Sequence, residues 1–250
     1  MSVLARILYL DIETAPSKVY AWGLFRQNIP IEMIIEPSRI LGVAYKWNHE
    51  KDVKWVSEFH DGGQHDMLQK VWDLLDEADV VIGFNSQGFD IPWIEGELIA
   101  AKFPPPSPFL QIDLYRAVKK HSNYVSKRLG WVVAQLFGGR KMSPGGFKTW
   151  RGCDEGDEKS WDRMRRYAMQ DVRVLPRLYT MLRPWIVGGP NIALIDGNEH
   201  LSCPKCGSDR VVRRGVRHTN TSTYPRFRCK SCKGWFRGVS RIRTTPGRGS

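Results

Sequence analysis

Short apolar runs alternate with segments of helical periodicity along most of this chain. The first run, residues 7–10, is β-prone and leads directly into two acidic residues, Asp11 and Glu13. Strands followed by helices in this way predict an α/β fold with a mixed sheet flanked by helices. Strands are expected at residues 7–10, 40–47, 53–59, 79–84 and 109–113, and helices at residues 64–77, 90–102, 114–119, 126–137 and 159–183.

Asp11 and Glu13 are two residues apart in the first predicted strand, so their side chains project from the same face of the sheet. Two ionised carboxylates side by side repel each other, and burial raises the cost unless a divalent cation lies between them. Two solvated acids at a surface strand end are the simpler interpretation when this pattern stands alone. Two later acids, Asp90 and Asp171, favour the metal-binding interpretation.

Asp90 is expected at the N-cap of a helix, and Asp171 lies on one face of a long helix. Tyr167 precedes Asp171 by four residues, so both side chains share that helix face. Four convergent carboxylates can hold two hard divalent ions, Mg²⁺ or Mn²⁺, about 4 Å apart, an arrangement used in phosphodiester cleavage. Asp113 also ends a predicted strand, but it is expected to cap the following helix.

Three segments, in this order, resemble the three exonuclease motifs of the DEDD 3′–5′ exonuclease superfamily. They are residues 11–13 (DIE), 84–92 (FNSQGFDIP) and 167–171 (YAMQD). A Tyr rather than a His four residues before the last Asp is similar to the DEDDy branch of the DnaQ-like group, which has a ribonuclease H-like fold. The resemblance covers residues 1–185 and is closest to the exonuclease domains of family B DNA polymerases and their stand-alone relatives.

The resemblance implies a metal-dependent 3′–5′ exonuclease that acts on single-stranded or frayed 3′ ends. On this analogy alone, DNA is expected as the substrate rather than RNA. By position, Asp11 bridges both ions, Glu13 and Asp171 complete the site of the ion on the nucleophile side, and Asp90 holds the second ion, partly through water. Tyr167 then orients the attacking water, while the metal supplies the acidity.

Asn85 and Phe89 of the second motif are expected to line the groove for the 3′-terminal nucleotides, Phe89 by stacking on a base. Each has a structural alternative, because Asn85 can cap the following helix and Phe89 can belong to the core. Residues 141–157 are rich in glycine and polar residues, so this segment is expected to be a mobile loop. Its cations, including Lys141 and Lys148, are candidates for contacts with phosphates.

Four cysteines form two Cys-x2-Cys pairs, Cys203 with Cys206 and Cys229 with Cys232. The pattern predicts a zinc ribbon, in which four thiolates bind one structural Zn²⁺ and a two-stranded hairpin joins the pairs. Disulfides are disfavoured in an intracellular protein, and a redox role requires a thioredoxin-like context that this sequence does not offer. The fifth cysteine, Cys153, is expected to be inert.

The chain has a formal net charge of +12, and about +10 of it lies in residues 196–250. Two negative charges from a zinc tetrathiolate leave this part strongly basic, which points to a polyanionic partner such as nucleic acid. Arg213, Arg214, Tyr224 and Trp235 are candidates for phosphate contacts and base stacking. Alternatively, these aromatic residues form the core of the module, and the ribbon binds a replication or recombination protein.

These patterns divide the chain into four parts. They are a ribonuclease H-like domain at residues 1–187, a linker at 188–200, a zinc ribbon at 201–238 and a basic tail at 239–250, of which residues 241–250 are expected to be disordered. Residues 15–39 are expected to pack over the sheet edge through apolar side chains such as Trp22, Phe25, Ile31 and Ile34. No run of about 18 apolar residues and no signal peptide is recognised, so a cytoplasmic location is expected, in the host cytoplasm if a phage encodes the chain.

Two other functions fit a chain of this kind. A non-catalytic nucleic-acid or replisome adaptor that retained the fold would be expected to lack a metal carboxylate, and none of the four is missing. A structure-selective endonuclease on the same fold would cut circular single strands, which an exonuclease cannot.

Overall fold

A computed structural model describes residues 4–25, 27–138, 145–245 and 247 of the 250-residue chain. The helices are α1 (Gln64–Glu77), α2 (Asp90–Ala100), α3 (Leu114–His121), α4 (Leu129–Phe137), α5 (Phe147–Asp154), α6 (Glu158–Leu182) and α7 (Ile192–Ile195). The strands are β1 (Ile7–Thr14), β2 (Lys18–Val19), β3 (Ile34–Glu36), β4 (Ile40–Trp47), β5 (Lys54–Ser57), β6 (Val80–Gly83), β7 (Leu110–Asp113), β8 (Val211–His218), β9 (Ser222–Cys229), β10 (Trp235–Arg237) and β11 (Arg243–Thr244). Two short 3-10 turns cover Ile31–Met33 and Arg183–Trp185.

The main sheet has five strands in the order β5-β4-β1-β6-β7. The central strand β1 pairs antiparallel with β4 and parallel with β6, and β6 pairs parallel with β7. The sheet is therefore mixed, as the sequence predicts. β4 and α1 match their predicted bounds, whereas β5, β6 and α4 are shorter than expected.

The two faces of β1 belong to different layers of the fold. Leu8, Leu10 and Ile12 pack against α1 and α2 on one side of the sheet. Ile7 and Tyr9 pack against α3, α4 and α6 on the other side. Because side chains alternate along a strand, the odd-numbered residues of β1 that follow Tyr9 also face the α6 layer.

The expected mobile loop at residues 141–157 is partly wrong, because α5 occupies much of it. Thr149 and Cys153 of α5 are buried, and Cys153 packs with Trp161 and Met164. Tertiary burial thus stabilises a helix in a segment whose glycines have a low helix propensity. Burial also raises the pKa of the Cys153 thiol to about 12, which agrees with an inert residue.

The expectation that residues 15–39 pack over the sheet edge is wrong for their large apolar side chains. Trp22, Phe25 and Ile31 are 91%, 87% and 84% exposed, respectively. The segment forms a β2–β3 hairpin whose base is held by Lys18, which lies 2.8 Å from both Glu36 and Asp154. This ion-pair contact lies at the base of the hairpin, whereas Trp22, Phe25 and Ile31 lie farther from it and face solvent.

The C-terminal module is a four-stranded sheet in which β8, β10 and β11 all pair with β9. The predicted hairpin between the cysteine pairs is therefore present as β8 and β9. The expected disorder of the basic tail is wrong for residues 243–244, because β11 pairs with β9. None of the helices in the described ranges is long and apolar enough to cross a membrane.

The segment predicted as a linker contains the packed helix α7. Ile192 of α7 belongs to the core on the α6 side of the main sheet, and its N–H donates to Pro204 O at 2.8 Å. The Nζ of Lys205 donates to the backbone carbonyls of Arg183, Pro184 and Ile186, just beyond α6. These contacts attach the first cysteine turn of the C-terminal module to the end of α6.

Candidate active site and zinc centre

Four of the chain's 26 acidic residues are buried, and all 26 lie in the described ranges. They are Glu13, Asp90, Asp113 and Asp171, with exposed fractions of 8%, 3%, 7% and 6%. Acidic side chains are almost never fully buried unless they are paired. Three of the four are the sequence-predicted metal ligands.

Asp113 has a structural explanation. Its Oδ1 accepts hydrogen bonds from the backbone N–H groups of Asn85 at 2.8 Å and Tyr115 at 2.9 Å. The contact with Tyr115 makes Asp113 the N-cap of α3, which confirms the sequence prediction.

Contacts at two levels fix how α6 runs past β1. The ring centroids of Tyr9 and Tyr179 are 6.4 Å apart. Six residues later, Ala15 lies in a cluster with Trp161 and Met164 near the start of α6. The helix therefore runs antiparallel to the strand. Six strand steps span about 20 Å and the fifteen helix steps from Met164 to Tyr179 span about 22 Å, so the two contacts agree in length.

Asp11 and Glu13 lie between these two contacts, on the face of β1 that is directed at α6. Asp171 lies at the midpoint of the matching stretch of α6, with Tyr167 one helical turn away. Asp11 and Tyr167 are partly buried, whereas Glu13 and Asp171 are buried. The fold therefore brings the first and third motifs to one place between β1 and α6.

Asp90 joins this group through the backbone of β1. Its Oδ1 accepts a hydrogen bond of 3.0 Å from the N–H of Ile12, the residue between Asp11 and Glu13. The predicted N-cap role of Asp90 is wrong, because α2 begins at Asp90 and the N-cap position is Phe89. Burial, together with the charge of Asp113, raises the pKa of Asp90 above its ordinary value.

A buried carboxylate of this kind fits a site for a divalent cation. A nearby positive charge offsets the desolvation cost of the ionised form, and carboxylate oxygens are the ligands that Mg²⁺ and Mn²⁺ prefer. Asp11, Glu13, Asp90 and Asp171 carry carboxylate oxygens on one strand and two helices.

The two other predicted residues of the second motif are not core residues. Phe89 is 39% exposed, with its ring centroid 6.1 Å from that of Trp93. Asn85 has a φ of 72°, a left-handed conformation that Asn tolerates, and no side chain caps the N-terminus of α2. The core alternative for Phe89 and the capping alternative for Asn85 are therefore wrong.

The cations predicted to contact phosphates are not all in one groove. Lys148 of α5 lines a cavity of about 740 Å³ together with Arg163 and Arg166 of α6. Asn85 lines a different groove, beside β7. Lys141 lies outside the described residues.

A pocket that the sequence analysis missed lies beside Asp171. It measures about 210 Å³ and is lined by α4 and α6. Phe137 of α4 forms one wall, and the guanidinium of Arg177 lies 4.0 Å from the centre of its ring. Roughly a turn and a half of α6 separates Asp171 from Arg177, but only tertiary packing brings Phe137 to them.

The four cysteines of the C-terminal module form a compact group. Their sulfurs all lie within 4.8 Å of one another, and the Cys203–Cys232 and Cys206–Cys229 pairs are each 3.7 Å apart. A tetrahedral Zn²⁺ with bonds of about 2.3 Å requires sulfurs about 3.8 Å apart. All four are free thiols, so the geometry fits a zinc ribbon and not a pair of disulfides.

Aromatic residues of the ribbon divide into core and surface. Phe227 stacks on Phe236 with ring centroids 5.5 Å apart, beside the cysteines. The guanidinium of Arg237 lies 4.2 Å from the ring centre of Tyr224. Trp235 is 46% exposed and thus available at the surface.

The arginines predicted to bind phosphates lie on the edge strand of the ribbon. Arg213 and Arg214 are exposed on β8, and the carbonyl of Arg214 accepts a hydrogen bond from Arg226 Nε at 2.9 Å. Arg226 also lies 4.9 Å from the ring centre of Trp235. Cations and aromatic rings thus share one surface.

Comparison with known proteins decides the family. The family model described as the RNase_H superfamily matches residues 8–183, which is more than half of the chain. The chain belongs to the RNase_H superfamily. The matched region contains all four predicted carboxylates and excludes the zinc ribbon.

The solved structures similar to this RNase_H superfamily member include the family B DNA polymerase from the hyperthermophilic archaeon Pyrobaculum calidifontis. The two share 17% identity with a TM-score of 0.55, over 78% of this chain and 27% of that polymerase. The likeness supports the ribonuclease H-like fold and covers only part of the polymerase. None of the curated proteins matches the chain.

Proposed function

We propose that this chain is a metal-dependent 3′–5′ exonuclease of the DEDDy type, acting on single-stranded or frayed 3′ ends of DNA. The observation that carries the proposal is the burial of Glu13, Asp90 and Asp171 on three elements of an RNase_H superfamily fold. Nucleases of this superfamily use divalent metals, and these three side chains with Asp11 supply the oxygens that such ions need.

Asp11, Glu13, Asp90 and Asp171 would hold two Mg²⁺ or Mn²⁺ ions. When bound, the ions supply a hydroxide nucleophile and stabilise charge on the leaving oxygen. Tyr167, one turn of α6 from Asp171, would hold the attacking water in line. The bond from water oxygen to the terminal phosphorus forms, the bond to the 3′ oxygen breaks, and that oxygen takes a proton from solvent.

The zinc ribbon would supply affinity for nucleic acid. Its exposed arginines and its partly exposed Trp235 suit phosphates and unstacked bases. A replication or recombination protein is the competing partner for the same surface.

The test compares the purified chain with two variants in Mg²⁺ or Mn²⁺. Asp11→Ala removes the proposed bridging ligand, and Asp52→Ala removes an exposed acid in the turn between β4 and β5 as the matched control. One substrate is single-stranded DNA labelled at its 5′ end, and the other is a circular single strand. Matched RNA substrates test the sugar preference.

We expect the chain and Asp52→Ala to shorten the labelled strand from its 3′ end, to leave the circle intact, and Asp11→Ala to be inactive. Cutting of the circle would replace the proposal with the endonuclease. No cleavage of DNA or RNA in either metal would favour the non-catalytic adaptor.

A further inference from the structure

A groove of about 750 Å³ runs beside the edge strand β7. Asn85 of the second motif lines it, but the sequence analysis did not predict its walls on α3 and at Trp185. One end is formed by Asn85 and Asp113, at the carboxyl ends of β6 and β7. The turn from Asn85 leads within five residues to Asp90, so this end of the groove adjoins the proposed metal site. The other end is formed by Trp185 and the residues that follow it.

A second groove, of about 280 Å³, adjoins the first and extends to the zinc ribbon. The two grooves share Ile112 and residues 186–189 as walls. From there the second groove reaches Arg217, Trp235 and Arg237 of the ribbon. Together they form one path from the carboxylates to the ribbon, which we call the β7 track.

The charges along the β7 track suit a polyanion. Arg116, Lys119 and Lys120 of α3 are exposed along the first groove. Asp113 is the one acid among the described residues that line either groove, and its Oδ1 already accepts two backbone N–H groups. The cationic walls therefore face the groove with little opposing charge.

Aromatic side chains lie at intervals along the same path. Trp185 is 58% exposed, and its ring centroid is 5.6 Å from that of His121 at the end of α3. Trp235 presents a second exposed ring on the ribbon. A cationic groove with exposed aromatic rings is the arrangement by which single strands are bound without sequence preference.

The ribbon is held in place relative to the track. The ammonium of Lys205 contacts the carbonyls of Arg183, Pro184 and Ile186, and Ile192 bonds to Pro204. The residues that carry these bonds adjoin the walls of the second groove. The ribbon is thus a fixed extension of the nuclease surface.

We propose that the β7 track binds the single strand upstream of the 3′ end, so that the strand runs from the carboxylates past α3 and Trp185 to the zinc ribbon. This inference rests on the proposed function for the direction of the strand. It adds the residues of α3 and Trp185 to the substrate-binding surface, and it implies a minimum length for tight binding.

Binding without catalytic metals tests the track separately from cleavage. Fluorescence anisotropy of the zinc-loaded full chain is measured with fluorescein-labelled single-stranded DNA of about four and about fifteen nucleotides, in buffer without Mg²⁺ or Mn²⁺. The variant is Lys119→Glu with Lys120→Glu. The control, Lys51→Glu with Lys102→Glu, makes the same change in net charge at exposed positions in the β4–β5 turn and just after α2.

We expect the α3 variant to weaken binding of the longer strand at least about tenfold and to reduce the slope of log K against log salt by about 1.4, because two phosphate contacts are lost. The control should change by less than about twofold, since neither of its positions lines either groove. The strand of about four nucleotides cannot reach from the carboxylates to the ribbon, so it should bind the unsubstituted chain more weakly than the longer strand. Equal weakening by both variants would overturn the track, because it would indicate a general charge effect. If the α3 variant bound the longer strand with unchanged affinity, this result would also overturn the track and would favour an acidic peptide as the occupant of this groove.

The two proposals fail in different ways. If the chain cleaves 3′ ends but the α3 variant does not bind the longer strand more weakly than the control does, the track proposal is refuted and the exonuclease proposal stands. If the α3 variant alone loses binding of the longer strand and the unsubstituted chain cleaves no substrate, the track is supported as a binding surface and the exonuclease proposal is refuted.

Discussion

Asp113 provides a test of how the edge of the candidate site is built. Its Oδ1 accepts the N–H groups of Asn85 at 2.8 Å and Tyr115 at 2.9 Å, and Asp113→Ala removes both contacts. Loss of a helix N-cap costs about 1 kcal/mol. Leaving the partly buried N–H of Asn85 without its acceptor costs about 1–3 kcal/mol more. The free energy of unfolding is therefore expected to fall by about 2–4 kcal/mol.

Asp113→Asn separates the role of the oxygen from that of the charge. The amide oxygen can still accept both bonds, so this variant is expected to lose less than about 1 kcal/mol. It should also keep nuclease activity within a few-fold, because Asp113 is not among the proposed metal ligands. Urea unfolding followed by circular dichroism measures the stabilities, with the slope against urea checked for constancy. Asp52→Ala, at an exposed turn, is the control and is expected to lie within about 0.5 kcal/mol of the unsubstituted chain.

Two results would refute this reasoning. A loss of less than about 1 kcal/mol in Asp113→Ala would mean that the two hydrogen bonds do not hold the junction. An Asn variant that is stable but inactive would make Asp113 part of the chemistry and not a cap.

Three further predictions follow from single contacts. Cys229→Ser should abolish the binding of one Zn²⁺ per chain, measured by metal release with a colorimetric chelator, whereas Cys153→Ser should leave zinc binding unchanged. Lys205→Met should lower the free energy of unfolding by about 2 kcal/mol in urea titrations, because three backbone carbonyls lose a charged donor. Lys230→Met, at an exposed position, is the control and should leave the free energy of unfolding unchanged. Trp22→Ser should change stability by less than about 0.5 kcal/mol in the same titration, since its side chain is 91% exposed, and a larger loss would show that it packs.

Local patterns predicted most of the main sheet and its helices. The bounds of β4 and α1 agreed to the residue, because burial on one or both faces leaves a period of two or of 3.6 in the sequence itself. The prediction of a four-cysteine metal site from the two Cys-x2-Cys motifs succeeded for a similar reason. The tight turn between the two cysteines of each motif is a local structure.

Predictions failed where contacts between distant segments set the outcome. α5 formed in a glycine-rich stretch because its buried face packs against α6. In the β2–β3 hairpin, Lys18 at the base pairs with Asp154, whereas Trp22 and Phe25 are exposed. The side chain of Asp90 accepts an N–H from Ile12, 78 positions away in the sequence. No local pattern records such a partner.

The sequence by itself determined the chemistry of this chain: the acidic residues of three motifs, the zinc ligands and the basic C-terminal part. Only the tertiary structure decided which of these residues meet. It placed Asp11 and Glu13 on the α6 side of β1, Asp90 against Ile12, and Trp185 next to His121 at the end of α3. Residue type and spacing can be read directly from the sequence. Which distant residues lie close together depends on the packing energy summed over the whole fold.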